Sequence, residues 1–259
     1  MENVSEKKDI WNYFYYFIIY SIIGFFMETF FALVTKGVIE SRQSFLYGPF
    51  CMIYGVGAIA MIIILRNERR IPALFFGGLV IGGIVEYYSS LICEIMFGVK
   101  WWDYSNMLLN IHGRTCLFYL VSWGILGIIL IKYVNPKVDE FLSNITKQTN
   151  LKTFRILGNV FIMVLIFDAF ITGYALRAFY VRVSNEYDLN VNDRANVNKE
   201  YNNIYSDMRL SGIIYKYFDD EKMLKTFPNL KIEDANKNMI YVEGLLEDIQ
   251  PYYFRVGKK

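Results

Sequence analysis

The chain has 259 residues, one histidine, three cysteines and a formal net charge of +2, and 54% of its residues are hydrophobic and 18% aromatic; a charge that small excludes the basic surface a nucleic-acid binder needs. Counted with glycine included and tyrosine left out, the apolar share is about 53%, near the roughly 45–50% of soluble domains, so average composition does not separate soluble from membrane protein. Its distribution does: residues 1–182 carry 16 Lys/Arg and 12 Asp/Glu and the remaining 77 carry 11 and 13, which predicts an all-α membrane domain, a bundle of about five transmembrane helices, followed by a mixed polar C-terminal tail (183–259).

A hydrocarbon core of roughly 30 Å needs about 20 apolar residues in a helix, and five stretches approach that length: 11–34, 49–65, 72–97, 116–134 and 156–180. Apolar runs this long exceed any ordinary strand. The first stretch is too long for a signal peptide, contains Glu28 and has no small-residue cleavage site, so it is expected to stay as a span; Ser21, Gly24 and Glu28 form a small and polar stripe along it. The second is the shortest and is expected to start at Pro49, because proline fits the first turn of a helix. The third opens at Pro72, and its Glu86, Ser90 and Glu94 fall at i, i+4 and i+8 on one face. Gly82-Gly83 on that span and Gly124 and Gly127 on the fourth would let helix backbones approach closely.

Between the third and fourth spans, Trp101, Trp102, Asp103 and Tyr104 lead to His112-Gly113-Arg114; the aromatic residues read either as an interfacial belt or as a cap over the polar residues of the bundle. Tyr47, in the other loop on that side, has the same character. After the fourth span, Val138, Phe141, Leu142 and Ile145 recur at helical spacing among charges, which suits an amphipathic helix that packs on the surface, lies on the membrane or docks to a cytoplasmic partner. The fifth span carries Asp168 with Thr172 one turn on. The tail begins polar and Asn-rich (183–197), continues with a mixed helical pattern to about Lys225 and is stopped by Pro228; 230–233 and 239–242 read as a hairpin and 252–256 as a third strand.

Orientation follows from basic residues in the loops. Ten lie on one side (Lys7, Lys8, Arg66, Arg69, Arg70, Lys132, Lys137, Lys147, Lys152 and Arg155) against Lys36, Arg42, Lys100 and Arg114, or six with Arg177 and Arg182 included. This predicts a multi-pass protein of the cell membrane with a cytoplasmic N-terminus and an extracytoplasmic tail. A charge at the bilayer centre costs about 2.5–3.5 kcal/mol or more and usually faces the bundle interior or water. Glu28, Glu86, Ser90, Glu94 and Asp168, with Arg114 at the membrane boundary, are therefore candidates either to line a substrate or ion path or to join helices as a structural network.

Other chemistries lack their residues. There is no G-x-x-x-x-G-K-[ST] phosphate loop and no H-E-x-x-H pair, and Cys51, Cys93 and Cys116 have no ligand or disulfide spacing. No cofactor, no metal site and no enzymatic activity are expected.

Phe45-Leu46-Tyr47-Gly48-Pro49-Phe50-Cys51 with Ile53-Tyr54-Gly55, then Glu86-Tyr87, Glu94, Phe97-Gly98, Trp101-Trp102-Asp103-Tyr104-Ser105 and Gly113-Arg114, occur in that order. Over about residues 11–135 the chain thereby resembles the ABC-transporter type IV family of bacterial multispan membrane proteins. The resemblance implies a permease-like subunit, and it extends to Glu28 in Gly24-Phe25-Phe26-Met27-Glu28, where the family often has tryptophan for one phenylalanine. The family also often has asparagine where His112 stands, which implies that His112 is not an essential proton carrier. Two functions follow as expectations: a transporter permease subunit energised by a separate cytoplasmic ATPase, or a non-transporting membrane protein with a structural carboxylate–Arg network and a partner-binding surface. Candidate partners are the lipid bilayer, the ATPase subunit and a second copy of the chain.

Overall fold

The computed structural model describes residues 9–257; Lys7 and Lys8 lie outside them. In chain order the helices are α1 (Ile10–Lys36), α2 (Met52–Leu65), α3 (Ile71–Phe97), α4 (Leu117–Ile129), α5 (Asn135–Gln148), α6 (Leu151–Glu186), α7 (Arg194–Tyr205), α8 (Met208–Tyr217), α9 (Asp220–Thr226) and the single turn α10 (Val242–Leu245). Short strands are β1 (Val38–Ile39), β2 (Lys231–Glu233), β3 (Met239–Tyr241) and β4 (Phe254–Arg255). A π-helical segment, Leu130–Val134, joins α4 to α5, so that Leu117–Gln148 is one helix. Pro136 accounts for that wide turn: it has no N–H to donate and its ring crowds the carbonyl four residues back, and just ahead of it the Asn135 N–H reaches Leu130 O, five residues away.

Among the described residues four helices are long and apolar enough to cross a membrane: α1, α3, the α4–α5 helix and α6. With the 14-residue α2 they make an all-α membrane bundle. Phe26, Phe30, Val80, Ile84, Phe167 and Phe170 are exposed on its flanks, an apolar surface matched to lipid tails. Inside, the helices meet where side chains are absent. A Cβ on Gly78 would lie 2.8 Å from Trp123 O and 3.1 Å from Gly127 Cα, so α3 and α4 touch backbone to backbone. α1 and α2 cross in the same way, with Gly24 against the Tyr54 ring and Gly55 against Ser21.

α2 is short because it begins part-way through the bundle. The sequence predicts a start at Pro49, but Gly48, at φ +82°, turns the chain there and Phe50 N–H bonds Gly48 O at 3.0 Å. The helix starts at Met52, whose N–H is capped by Ser44 Oγ at 3.0 Å. Cys51 N–H donates to Ser21 O in the middle of α1 at 2.9 Å, about 22 Å below the end of α1 at Lys36 on helical rise. The α1–α2 connection therefore re-enters the bundle, and Phe45 and Phe50 are buried in it with Ile18 and Leu165, while Leu46 joins the core around Leu176. On the opposite side, the face of α5 formed by Val138 and Leu142 is buried against Tyr16, Tyr20, Ala58 and Ile62. Tyr20 there donates to Asn135 Oδ1 at 2.9 Å and Tyr16 to Asp139. The amphipathic stretch thus packs on its own bundle.

The tail sits at the end of the bundle where α1 and α3 finish. At 36 residues, α6 is about 54 Å long, well beyond a roughly 30 Å hydrocarbon core. Its projecting turns, including Ala175, Leu176, Phe179 and Val183, share one buried core with Met223, Leu224, Phe227, Leu230, Ile232 and Val242, so in space the tail unit begins inside α6 rather than at residue 183. β2 and β3 pair as an antiparallel hairpin. The expected third strand joins another sheet, because β1 offers an open edge: β4 pairs with β1, with Val256 N–H on Gly37 O at 2.7 Å and Tyr253 N–H on Ile39 O at 2.8 Å. A second stitch links Lys100 and Lys231 through reciprocal backbone hydrogen bonds of 2.9 and 2.8 Å.

Gly78→Leu inserts a side chain where backbones touch, an overpacking cost of about 1–3 kcal/mol or more. The thermal unfolding midpoint of detergent-purified protein is expected to fall by about 5 °C, whereas lipid-facing Ile84→Ala leaves it within about 2 °C. Equal midpoints for both would refute the crossing.

Candidate functional site

The polar residues of α3 lie on one buried face, and the α3–α4 loop supplies their partners. Because α4 also starts below the end of its neighbour, residues 114–116 descend beside α3. Arg114, 9% exposed, donates to Ser90 Oγ at 3.1 Å and forms an ion pair with Glu94. Glu94 also accepts Lys100 at 3.3 Å, and Lys100 in turn pairs with Glu233 at the end of β2. Two cations and two carboxylates thus run from the last turn of α3 to the tail hairpin with their charges balanced.

Glu86, one turn below Ser90 and 4% exposed, is bound differently. Its Oε2 accepts from Thr115 Oγ1 at 2.6 Å and its Oε1 from the Tyr104 hydroxyl at 3.4 Å. Glu28 accepts from the Tyr54 hydroxyl at 2.5 Å. Neither carboxylate has an ion-pair partner among the described residues. The Tyr104 phenol beside Glu86 is raised far above the ordinary tyrosine value, first by burial and then by the charges of Glu86, Tyr119 and Glu28. Its ring stacks on Tyr119 at 4.4 Å, and Trp102 closes the layer by donating from Nε1 to Arg114 O at 2.8 Å.

The remaining candidates separate from this cluster. Asp168 serves the re-entrant connection: its carboxylate accepts Tyr47 N–H at 3.2 Å and Thr172 Oγ1 at 3.1 Å, while Thr172 accepts Leu46 N–H at 2.9 Å. Tyr47 holds that backbone contact and turns its exposed ring to the Lys222 amine, 5.0 Å away. Trp101 packs edge-on against Phe97 and Phe227, keying the tail to α3. Asp103 accepts Ser105 Oγ at 2.5 Å within its own turn. His112 Nδ1 meets the Tyr87 hydroxyl at 2.8 Å. Of the aromatic loop, Trp102 and Tyr104 therefore cap the polar cluster.

Thr115, Tyr54, Lys100 and Glu233 belong to the site and were not singled out for it from sequence. Thr115 follows Arg114 directly and Lys100 is a lone cation beside two tryptophans, which are signals of a sort; Glu233 gives none, because its partner lies 133 residues away. Among the described residues no group of three or more His, Cys, Asp or Glu is placed to hold a metal ion, and the three cysteines are free.

Residues 15–173 match the family model described as Putative ABC-transporter type IV. No curated protein matches the chain, and no solved structure does.

Arg114→Met leaves Glu94 with one cation instead of two, and breaking a buried pair from one side costs about 3–5 kcal/mol, toward the lower end here because Glu94 is a quarter exposed. Chemical unfolding in detergent is expected to register that loss, and Glu94→Gln added to Arg114→Met is expected to cost less than the sum of the two single changes. Strict additivity would show that the pair is uncoupled.

Proposed function

Because the chain belongs to that family, and so is a transporter-like membrane protein, we propose that it is the permease-like subunit of a transporter, with Glu86 and Glu28 at its polar site and a separate cytoplasmic ATPase as its energy source. The observation that carries this reading is the contrast between two carboxylates on one helix face. Glu94 is neutralised by Arg114 and Lys100, as a structural network requires. Glu86 lies two turns further into the bundle, is more fully buried at 4% exposure, and among the described residues is held by hydroxyls. An intramembrane carboxylate without a counter-charge is costly and is a functional candidate by default. Hydroxyl partners can release it to a proton or to a cationic group of a substrate without stranding a buried positive charge.

In this reading the N-terminus is cytoplasmic and the tail extracytoplasmic. Basic residues at the N-terminal end of the bundle, such as Arg69 and Lys147, lie at the surface, whereas Lys100, Arg114 and Arg182 at the tail end are buried in ion pairs. The positive-inside bias counts Lys and Arg in the loops whatever their acidic neighbours, so the orientation rests on the count of ten against six.

Glu86→Gln keeps the size and one acceptor oxygen, and its amide N–H can donate to the oxygen of the other hydroxyl once that hydroxyl turns. It is expected to leave the unfolding midpoint unchanged and to reduce uptake or export of a candidate solute in cells by at least tenfold, while Glu94→Gln acts mainly on stability. Unchanged flux with a lowered midpoint for Glu86→Gln would transfer the cluster to the structural reading. Affinity purification from native membranes is expected to recover a nucleotide-binding subunit; its repeated absence at full recovery of the bait would remove the ATPase from the proposal.

A further inference from the structure

A second charged cluster lies under the tail hairpin, on residues distinct from those around Glu86, and its charges do not balance. Lys36, at the end of α1, and Arg42, in the re-entrant connection, donate to the same oxygen of Glu40, at 2.8 and 2.5 Å. Lys36 also donates to Asn229 Oδ1 at 2.9 Å, and the main-chain oxygen of Asn229 receives Lys231 at 3.4 Å. Three cations are thus joined through one carboxylate and one asparagine. Lys231 is 7% exposed and has no ion-pair partner among the described residues; the Tyr241 ring lies 5.1 Å away, and Asp103 and Glu40 act on it as the opposing charges, two carboxylates against three cations. Arg42 Nε is buried and has no hydrogen-bond partner among the described residues.

Burying a cation without an anion is expensive, and each unmade bond of a buried donor costs more than a made one returns. The amine of Lys231 responds: burial first, opposed by Asp103 and reinforced by Lys36 and Arg42, lowers it to about 8, which keeps it mostly protonated at neutral pH. Lys36, with 47% of its side chain exposed, leaves the cluster open to solvent on one flank.

We propose that Lys231 and the Arg42 Nε edge, with Lys36 at the mouth, form a binding site for a single oxyanion group at the tail end of the bundle. Two donors from different elements and an open cationic rim suit a group with several acceptor oxygens, such as a phosphate. That chemistry is carried by a free ion or by the headgroup of an anionic phospholipid, since Lys36 stands where a span ends.

Full-length protein, delipidated in neutral detergent, is titrated with inorganic phosphate while its unfolding midpoint and heat of binding are followed. Saturable binding weakened at least tenfold in both Lys231→Met and Arg42→Gln, and unchanged in the exposed control Lys237→Gln, supports a free-ion site. In the second arm, protein from vesicles of phosphatidylcholine with phosphatidylglycerol is examined by native mass spectrometry. Retained phosphatidylglycerol that is lost in Lys231→Met, without a phosphate response, supports the headgroup. Neither ligand bound, or binding that survives both substitutions, overturns the site. Because Lys231→Met could disturb the hairpin, Arg42→Gln, in a different element, must give the same answer. Glu86→Gln is expected to bind phosphate normally, which separates failure of this site from failure of the transport reading.

Discussion

A peptide group at membrane depth has no water to turn to and must find its partner in the protein. The bundle meets this constraint twice, because α2 and α4 both begin below the ends of their neighbours and the chain has to travel down to them without helical hydrogen bonds. In the first descent the side chains of Ser44, Thr172 and Asp168 and the carbonyl of Ser21 take the N–H groups of Met52, Leu46, Tyr47 and Cys51. In the second, Arg114 N–H returns to Ile111 O and its carbonyl receives Trp102. The intramembrane polar residues are therefore of two kinds. Asp168 and Thr172 complete a backbone, whereas Glu86 and Glu28 bond only side chains among the described residues and stand where both descents end.

The tail holds the second descent in place. Lys100 begins it, and its backbone pairs with Lys231 while its amine reaches Glu94 and Glu233. The projecting end of α6 supplies the core on which this rests, and Arg182, 0% exposed, is anchored there to Asp220 and Phe218 O. Bundle and tail are thus joined by a shared helix, by strand pairing at β1 and β4, and by a chain of ion pairs.

Much of this was legible in the sequence, for reasons that are local. Span lengths follow from runs of apolar residues, the common face of Glu86, Ser90 and Glu94 from helical spacing, and the close crossings from glycines. What was not legible depended on distance along the chain. Pro49 reads as a helix start by propensity, yet Ser44 and Ser21 place the start three residues later. Arg114 looks like the counter-charge of every nearby carboxylate, and which one it takes is decided by how far the loop has descended at residue 114, level with Glu94 and Ser90 and short of Glu86. Residues 254–255 look like a partner for the hairpin, but the free edge that accepts them lies at residues 38–39. The Asp168–Thr172 pair shows in the helical spacing of α6, whereas the Tyr47 and Leu46 N–H groups it receives, main-chain groups 121 and 126 residues away, leave no trace in side-chain patterns.

The wide turn ahead of Pro136 has a geometrical consequence. Gly127 and Val138 are eleven residues apart, so in a uniform helix they would point within about 20° of each other and meet one neighbour. Instead Gly127 lies against α3 and Val138 against α1 and α2. One extra residue in a turn rotates everything beyond it by about 100°, which carries the contact face from one neighbour to the next. Pro136 therefore does not end the span. It indexes it, setting the angle at which the far half of a single continuous helix is presented to the rest of the bundle.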